Sequence, residues 1–361
     1  MLISLAANYG WAVDHLDVVT AFLNPKIDCN NVYMSLPPGL DWLDSRFVNL
    51  VVVRLLKALS GLKQAPRLWY EEINAFLISI GLRQSPTDPN LYINPGILLL
   101  LYEDNIILAH TLPSGGESVK QKLLRKYRMS NLGAARRFLG IEITQETEGI
   151  SLSQKEYIQR VLRRFRMESC HPALSPLDPN VRLNNPLGED KQITDSRQYL
   201  SIVGSLMYAA LGTRPDISYC VTALSRYNAT PLQMHLTAAR RALRYLKGTS
   251  SFKLHFSRGG GACGETFPVA VQGFTDSDWA GNELTRKSVG GCIFYTQPRD
   301  PEQAMIGARG LMVSGAVHWQ SRTQSVVALS TPETEYIACS DAVREAIWVR
   351  RLLHLTWGVL A

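Results

Sequence analysis

Between Leu98 and Ala109 the sequence runs LLLLYEDNIILA, an apolar stretch broken once by Tyr102-Glu103-Asp104-Asn105 before apolar residues resume. Two buried strands joined by an acidic tip would carry a carboxylate at the end of a rigid hairpin, and a carboxylate so placed can hold a metal ion for nucleotidyl transfer. The same four residues also suit a solvated turn, since acidic and amide side chains are ordinary turn formers. The tip by itself does not decide between them.

The residues around it do. Upstream stand His15-Leu16-Asp17-Val18-Val19-Thr20-Ala21-Phe22-Leu23-Asn24, Val32-Tyr33-Met34-Ser35-Leu36-Pro37-Pro38-Gly39 and Leu59-Ser60-Gly61-Leu62-Lys63-Gln64-Ala65-Pro66-Arg67-Leu68-Trp69-Tyr70. Downstream come Phe138-Leu139-Gly140-Ile141-Glu142, Gly204-Ser205-Leu206-Met207-Tyr208, Thr213-Arg214-Pro215-Asp216-Ile217 and Leu243-Arg244-Tyr245-Leu246-Lys247-Gly248-Thr249. Asp276-Ser277-Asp278-Trp279-Ala280-Gly281 and Glu333-Thr334-Glu335-Tyr336 follow. In this order the blocks resemble the reverse transcriptase of copia-type retrotransposon polyproteins, with its DVKTAFLNG, VYM-x-x-PPG, YGLKQAPR-x-WY and YVDD blocks, running into the start of an RNase H domain.

The resemblance implies an α+β chain in three parts. Residues 1–147 would be the palm with partial fingers, 148–257 a mainly helical thumb and connection, and 265–361 an RNase H-like α/β domain truncated at its C-terminus. It implies an RNA-directed DNA polymerase that uses Mg²⁺ or Mn²⁺, an RNA template, a DNA primer, an RNA/DNA hybrid and deoxynucleotides. Other element-encoded proteins would be partners, and the location would be intracellular, in a cytoplasmic particle and in the nucleus. Asp17 and Asp104 would be catalytic carboxylates and metal ligands. Phe22 would be the aromatic floor under the sugar, its alternative being a core Phe in an apolar strand. Lys63, Gln64 and Arg67 would line the incoming nucleotide and template, while Phe138 and Gly140 belong to the hairpin holding the primer end. Asp276 and Glu335 would supply the first two of four RNase H carboxylates, with Asp278 a neighbour and not a ligand.

Departures from the pattern bear on activity. YEDN stands where the family has YVDD, so Asn105 replaces an Asp and one negative charge facing the metals is gone; Glu103, on a neighbouring strand position, would point to the other face. Pro25 follows Asn24 where the family has Gly. Both ends look cut: Met1 to Ala7 resembles the middle of a family helix, and the later RNase H aspartates would lie beyond Ala361. These features make a catalytically dead remnant that still binds nucleic acid the alternative to an active enzyme, with an unstable gene fragment a third reading.

Bulk properties agree with this reading. At 361 residues and 46% hydrophobic content the chain can build two or three cores. No apolar run reaches membrane-spanning length and no basic leader with a cleavage site begins it, so no membrane role is expected. Cys29, Cys170, Cys220, Cys263, Cys292 and Cys339 include no C-x-x-C pair, which argues against a zinc site or a disulfide framework; Cys170-His171 has no second pair nearby.

Charge is concentrated. Net charge is +7 and the pI about 9.1, and residues 120–170 alone hold twelve Lys or Arg against five Glu and no Asp. Such a segment suits a polyanion partner. Ser153 to Glu156 has the form of a capping box, and Ile158, Val161, Leu162 and Phe165 then recur at helical spacing, leaving Arg160, Arg163, Arg164 and Arg166 on the opposing side. Leu236, Ala239, Leu243 and Leu246 form a second apolar stripe, with Arg240, Arg244 and Lys247 on another. Either basic face could equally be a solvated helix surface.

Further along, Pro172 to Asp195 looks like an exposed connection and residues 258–262 like a flexible linker. Val269 to Thr275, Gly290 to Tyr295 and Ala316 to Trp319 read as strands, residues 297–315 as a loop insertion. A helix is expected from Pro332, capped by Ser330 or Thr331, to about Leu355.

Overall fold

The computed structural model describes residues 1–27, 32–35, 52–184, 192–193, 195–259, 269–282, 285–298 and 313–360. By packing, the chain forms two compact units, one of Ala12–Ala134 and one of Met1–Trp11 together with Ala135–Val359. Helix α1 (Leu2–Tyr9) packs on strands of the second unit and not with the residues that follow it.

In the first unit, β1 (Ala12–Val18) is followed by a short 3-10 turn (Ala21–Leu23), the two-stranded pair β2 (Tyr33–Ser35) and β3 (Val52–Arg54), and helix α2 (Ala65–Ser79). Then come β4 (Arg83–Gln84), β5 (Leu91–Asn94), β6 (Ile97–Tyr102), β7 (Asn105–His110), helix α3 (Pro113–Lys126) and β8 (Met129–Ala134). The strands form one antiparallel sheet in the order β4-β5-β6-β7-β1-β8. Alternation sorts their side chains. Leu16, Val18, Leu99, Leu101, Ile106 and Leu108 share a core with Trp69, Ile73 and Leu77 of α2 and Val119 and Leu123 of α3. Leu98, Ile107 and Val13, on the opposite face, are also buried. Burial on both faces explains why β6 and β7 read as unbroken apolar runs and not as alternating ones.

One charged cluster sits between sheet and helix here. His110 Nε2 and Lys120 Nζ each lie 2.9 Å from the same Asp14 carboxylate oxygen, with all three side chains largely buried. Burial pushes the Asp14 carboxyl up, but hydrogen bonds from Lys120 and His110 outweigh it and hold the group below its ordinary value. A depressed carboxyl contributes stability that is present above the unfolded pKa and lost as pH falls through the folded one. Asp14→Asn is therefore expected to lose about 1.5–3 kcal/mol at pH 7, the worth of hydrogen bonds to a charged group. The gap to wild type should close in urea titrations run progressively below a pH of about 4; an unchanged gap would show that the charge is not the source.

The second unit contains β9 (Arg137–Phe138), β10 (Ile141–Glu146), β11 (Gly149–Ser153), helices α4 (Lys155–Arg164), α5 (Arg197–Gly212), α6 (Ser218–Ser225) and α7 (Gln233–Gly248), and β12 (Lys253–Ser257). Strands β13 (Val269–Ser277), β14 (Val289–Pro298), β15 (Val313–Ser314) and β16 (Ala316–Thr323) and helix α8 (Thr331–Leu360) complete it. One sheet has the order β15-β12-β11-β10-β9 and carries α1 on β11 and β12; the other has the order β13-β14-β16. Ile158, Val161 and Leu162 of α4 pack with Ile202, Leu206, Leu236, Leu243 and Leu246 in the helical core.

Arg214 explains two of the blocks picked out in the sequence. Its guanidinium is fully buried and forks onto Asp216, with Nε to Oδ1 at 2.9 Å and Nη2 to Oδ2 at 2.7 Å. Nη1 donates to the Thr249 carbonyl and Nη2 to the Thr249 hydroxyl, while the Tyr245 and Phe252 rings flank it at 5.6 and 5.2 Å. Thr213 to Ile217 and Leu243 to Thr249 are thus two halves of one buried clamp.

Several local expectations need correction. The Ser153–Glu156 capping box does not form: Gln154 occupies the cap position but makes no side-chain bond to the helix start, Ser153 accepts from Lys155, and Glu142 of β10 accepts from the Glu156 amide. Helix α8 runs to Leu360, past Leu355; Ser330 and Glu333 do cap its start. The 172–195 connection is partly packed, since Leu177 and Leu183 rest on the helical core, and residues 185–191 and 194 lie outside the described residues. Arg258 and Gly259 of the expected linker donate backbone bonds to Glu148 and Asn8; 260–268 lie outside the described residues. So do 299–312 of the expected insertion, whose ends belong to β14 and β15.

Candidate functional site

The β6–β7 hairpin closes on the Tyr102–Asn105 pair, so Glu103 and Asp104 alone form the loop. Glu103 has φ 53°, a left-handed conformation that a two-residue hairpin demands and a side chain disfavours. Two bonds hold the loop there. The buried Trp69 of α2 donates its indole N–H to the Glu103 carbonyl at 2.7 Å, and the Val18 amide at the end of β1 donates to the Asp104 carbonyl at 2.8 Å. Because β1 pairs with β7 in the register Asp17 to Asn105, Asp17 stands directly across from Asn105 and beside the tip that carries Asp104. Leu16 and Ile106, the next pair, face the helices, so Asp17 and Asn105 face the other side of the sheet.

Asn105 is held at both ends of its carboxamide. Its Nδ2 donates to Asp104 Oδ1 at 2.8 Å and its Oδ1 lies 3.0 Å from His15 Nε2. A carboxylate accepts only, so the NH₂ must face Asp104; the amide oxygen then faces His15, which must present N–H at Nε2. The amide oxygen is committed to His15, and one Asp104 oxygen already accepts a bond. Among the described residues no three His, Cys, Asp or Glu side chains gather into a metal cluster. Asp17 and Asp104 are the carboxylates at this tip that could hold a divalent cation.

Phe22 lies in the 3-10 turn after β1, half-buried, and so is not a strand residue. With Trp69, Tyr70, Asn90, Tyr102 and Glu103 it lines a cavity of about 230 Å³. Gln64 precedes α2 as its N-cap residue; Lys63 is exposed, and Arg67 on the first turns of α2 is exposed and paired with Glu71 at 2.8 Å.

In the second unit, Arg160, Arg163 and Arg164 are exposed on α4. The basic residues of α7 differ from them. Arg240 is exposed near Gln198, whereas Arg244 donates to the His171 carbonyl at 2.7 Å and Lys247 to the Cys170 carbonyl at 2.5 Å, tying down the chain after α4. Phe138 and Gly140 flank the exposed Leu139 at the β9–β10 turn.

Asp276 is exposed on β13 and lines a cavity of about 460 Å³ with Ser218, Tyr219, Phe274 and Trp319. This is the sheet face on which Trp319 donates to the Ala210 carbonyl of α5. Helix α8 packs on the other face, where Ala338 meets Gly290, and Glu335 is half-buried in its second turn. Asp278 has a structural place: Oδ1 accepts from the Val289 amide at 2.6 Å and its carbonyl from the Thr334 hydroxyl at 3.0 Å. No helix among the described residues is long and apolar enough to cross a membrane. Residues 36–39 of the upstream block lie outside the described residues.

The sequence reading assigned no role to His15 and Trp69. Both stand inside the blocks that carry Asp17 and Lys63, but their bonds reach 90 and 34 residues along the chain, so only the folded hairpin shows what they hold.

An antiparallel sheet with helices on one face, carrying Asp17 near the end of β1 and Asp104 on the adjacent hairpin tip, can be set beside known families. Residues 1–179 match the reverse transcriptase (RNA-dependent DNA polymerase) family. The chain is 36% identical to the retrovirus-related Pol polyprotein from transposon TNT 1-94 of Nicotiana tabacum, over 98% of this chain and 25% of that one. It is 32% identical to the corresponding polyprotein from transposon RE1 of Arabidopsis thaliana, over 98% of this chain and 22% of that one. A transposon Ty5-1 protein of Saccharomyces cerevisiae is 32% identical over 91% of this chain and its own entire length. The chain belongs to the reverse transcriptase family of retrovirus-related transposon Pol polyproteins, and spans about a quarter of the two plant polyproteins.

Proposed function

We propose that this chain is the reverse transcriptase region of a copia-type retrotransposon, an RNA-directed DNA polymerase whose catalytic centre is weakened in this copy. The carrying observation is the β1–β7 register, which sets Asp17 beside the hairpin tip bearing Asp104. A divalent cation, Mg²⁺ or Mn²⁺, would be held by Asp17 and Asp104 and would neutralise charge on the transferring phosphoryl group. Trp69 and Val18 hold the tip; Phe22 offers an aromatic surface under an incoming deoxynucleotide, and Lys63, Gln64 and Arg67 face its phosphates and the template. In this reading residues 1–147 serve as palm and partial fingers, 148–257 as thumb and connection, and 265–361 as an RNase H-like portion in which Asp276 and Glu335 are two of the four carboxylates that hybrid cleavage needs, so no strand cleavage is expected from it. The product would be made in an element particle in the cytoplasm. The test is divalent-dependent extension of a DNA primer on an RNA template.

The commitment of Asn105 to His15 and Asp104 favours a second reading, a remnant that binds nucleic acid without catalysis. Both readings require phosphate contacts, and the exposed arginines of α4 are the strongest candidates. Replacing Arg160, Arg163 and Arg164 together by Gln is expected to weaken binding to any primer-template and to flatten the slope of log K against log salt by about 2–3, one phosphate contact per arginine. Fluorescence anisotropy across a salt series measures both. A folded chain that binds no primer-template at low salt would remove both readings.

A further inference from the structure

The β9–β10 hairpin turns on Leu139 and Gly140 alone, because Phe138 pairs directly with Ile141. Both turn residues are left-handed, with φ 48° at Leu139 and 77° at Gly140. Glycine adopts that conformation freely, but leucine does not, so something outside the turn must hold it. That group is Tyr208 of α5, whose hydroxyl donates to the Leu139 carbonyl at 2.5 Å. The same hydroxyl fills the space beside Gly140, where a Cβ would collide with it. Gly140 is thus required twice, by its backbone angle and by the tyrosine.

Tyr208 is itself fixed. Its ring lies 4.5 Å from that of Tyr157, whose hydroxyl donates to the Ser205 carbonyl, and Gln154 donates to the Tyr208 carbonyl. At its base the hairpin is joined to α4 by an Arg137–Glu156 ion pair and by Glu142 accepting from the Glu156 amide. The base therefore has several ties, and at the tip the Tyr208 hydroxyl holds the Leu139 carbonyl. Leu139 remains 42% exposed at that tip, its carbonyl turned toward the tyrosine and its side chain outward.

We propose that Tyr208 is a positioning residue for the recessed 3′ end of a primer strand: it fixes the Leu139-Gly140 tip so that an apolar surface meets the terminal nucleotide. This rests on the reading of the 138–142 hairpin as the primer-end contact. The arginines of α4 bind phosphate wherever duplex offers it, whereas the tip acts only at a 3′ end recessed on a template overhang, which a blunt duplex lacks. Loss of the hydroxyl should therefore change discrimination between ends and leave general affinity in place.

The experiment compares anisotropy titrations of a recessed primer-template and a blunt duplex of equal length at one salt concentration. Wild type is expected to prefer the recessed end. Tyr208→Phe should lower affinity for it about tenfold, the worth of one well-formed hydrogen bond, with blunt-duplex affinity unchanged. Gly140→Ala should reproduce this by displacing the hydroxyl, and the double variant should be no weaker than either single one. Hydrogen exchange at the 138–141 amides should quicken in each variant. Retained preference in Tyr208→Phe, or equal loss on both duplexes, overturns the proposal. A wild-type chain with no preference for a recessed end overturns the primer-end reading of the hairpin, and the proposal with it.

Discussion

Primer extension on an RNA template by the unmodified chain is expected to be weak, to disappear in Asp104→Asn, and to rise at least about tenfold in Asn105→Asp. The argument is electrostatic. A divalent cation at the tip would be held by two carboxylates, one of which already accepts a bond from Asn105. Removing one preorganised charge or donor from such a site typically lowers turnover by about 10²–10³, so Asp104→Asn should leave nothing measurable above background. Asn105→Asp converts the amide that now bridges His15 and Asp104 into a third acceptor, which His15 can still satisfy through Nε2–H. Extension rates with Mg²⁺ and with Mn²⁺, together with Mn²⁺ binding by electron paramagnetic resonance, measure the effect. Robust extension by the unmodified chain, or no gain from Asn105→Asp, would show that Asn105 is not what limits it.

Arg214→Met is expected to lower the stability of the second unit by about 2–4 kcal/mol, because the buried guanidinium gives up hydrogen bonds that, involving a charged group, are worth about 1.5–3 kcal/mol each. The guanidinium makes bonds to Asp216 and Thr249 from a position 1% exposed; its removal takes a donor from the Thr249 carbonyl and hydroxyl, while the solvent-exposed Asp216 carboxylate keeps the Tyr245 hydroxyl. Burial and the neighbouring Asp216 already push the Tyr245 phenol up to about 12, so it remains a donor at any workable pH. Arg214→Lys keeps the charge but cannot fork onto both carboxylate oxygens, and should destabilise nearly as far. Adding Asp216→Asn to Arg214→Met should change stability little further, because Asp216 is open to solvent and its charge stays hydrated once the guanidinium is gone. Urea unfolding followed by circular dichroism gives these differences. A loss under about 1 kcal/mol in Arg214→Met would place the clamp in the class of surface ion pairs, contrary to its burial.

The sequence by itself determined the family, the hairpin with its acidic tip, the core stripes of α4 and α7, and the strands that lead to and follow Asp276. These are local or patterned features. Apolar periodicity and turn chemistry act over a few residues, and an ordered series of blocks survives without any knowledge of contacts. Only the tertiary structure decided that Asn105 is bound between His15 and Asp104, that Arg244 and Lys247 hold backbone carbonyls while the arginines of α4 stay exposed, and that Arg214 is buried against Asp216. It also moved α1 onto β11 and β12 and gave the Glu156 amide to Glu142 in place of the Ser153 cap. In each case the partner lies on another element, so the outcome depends on which polar groups lose water together on folding, and no single stretch of sequence carries that information.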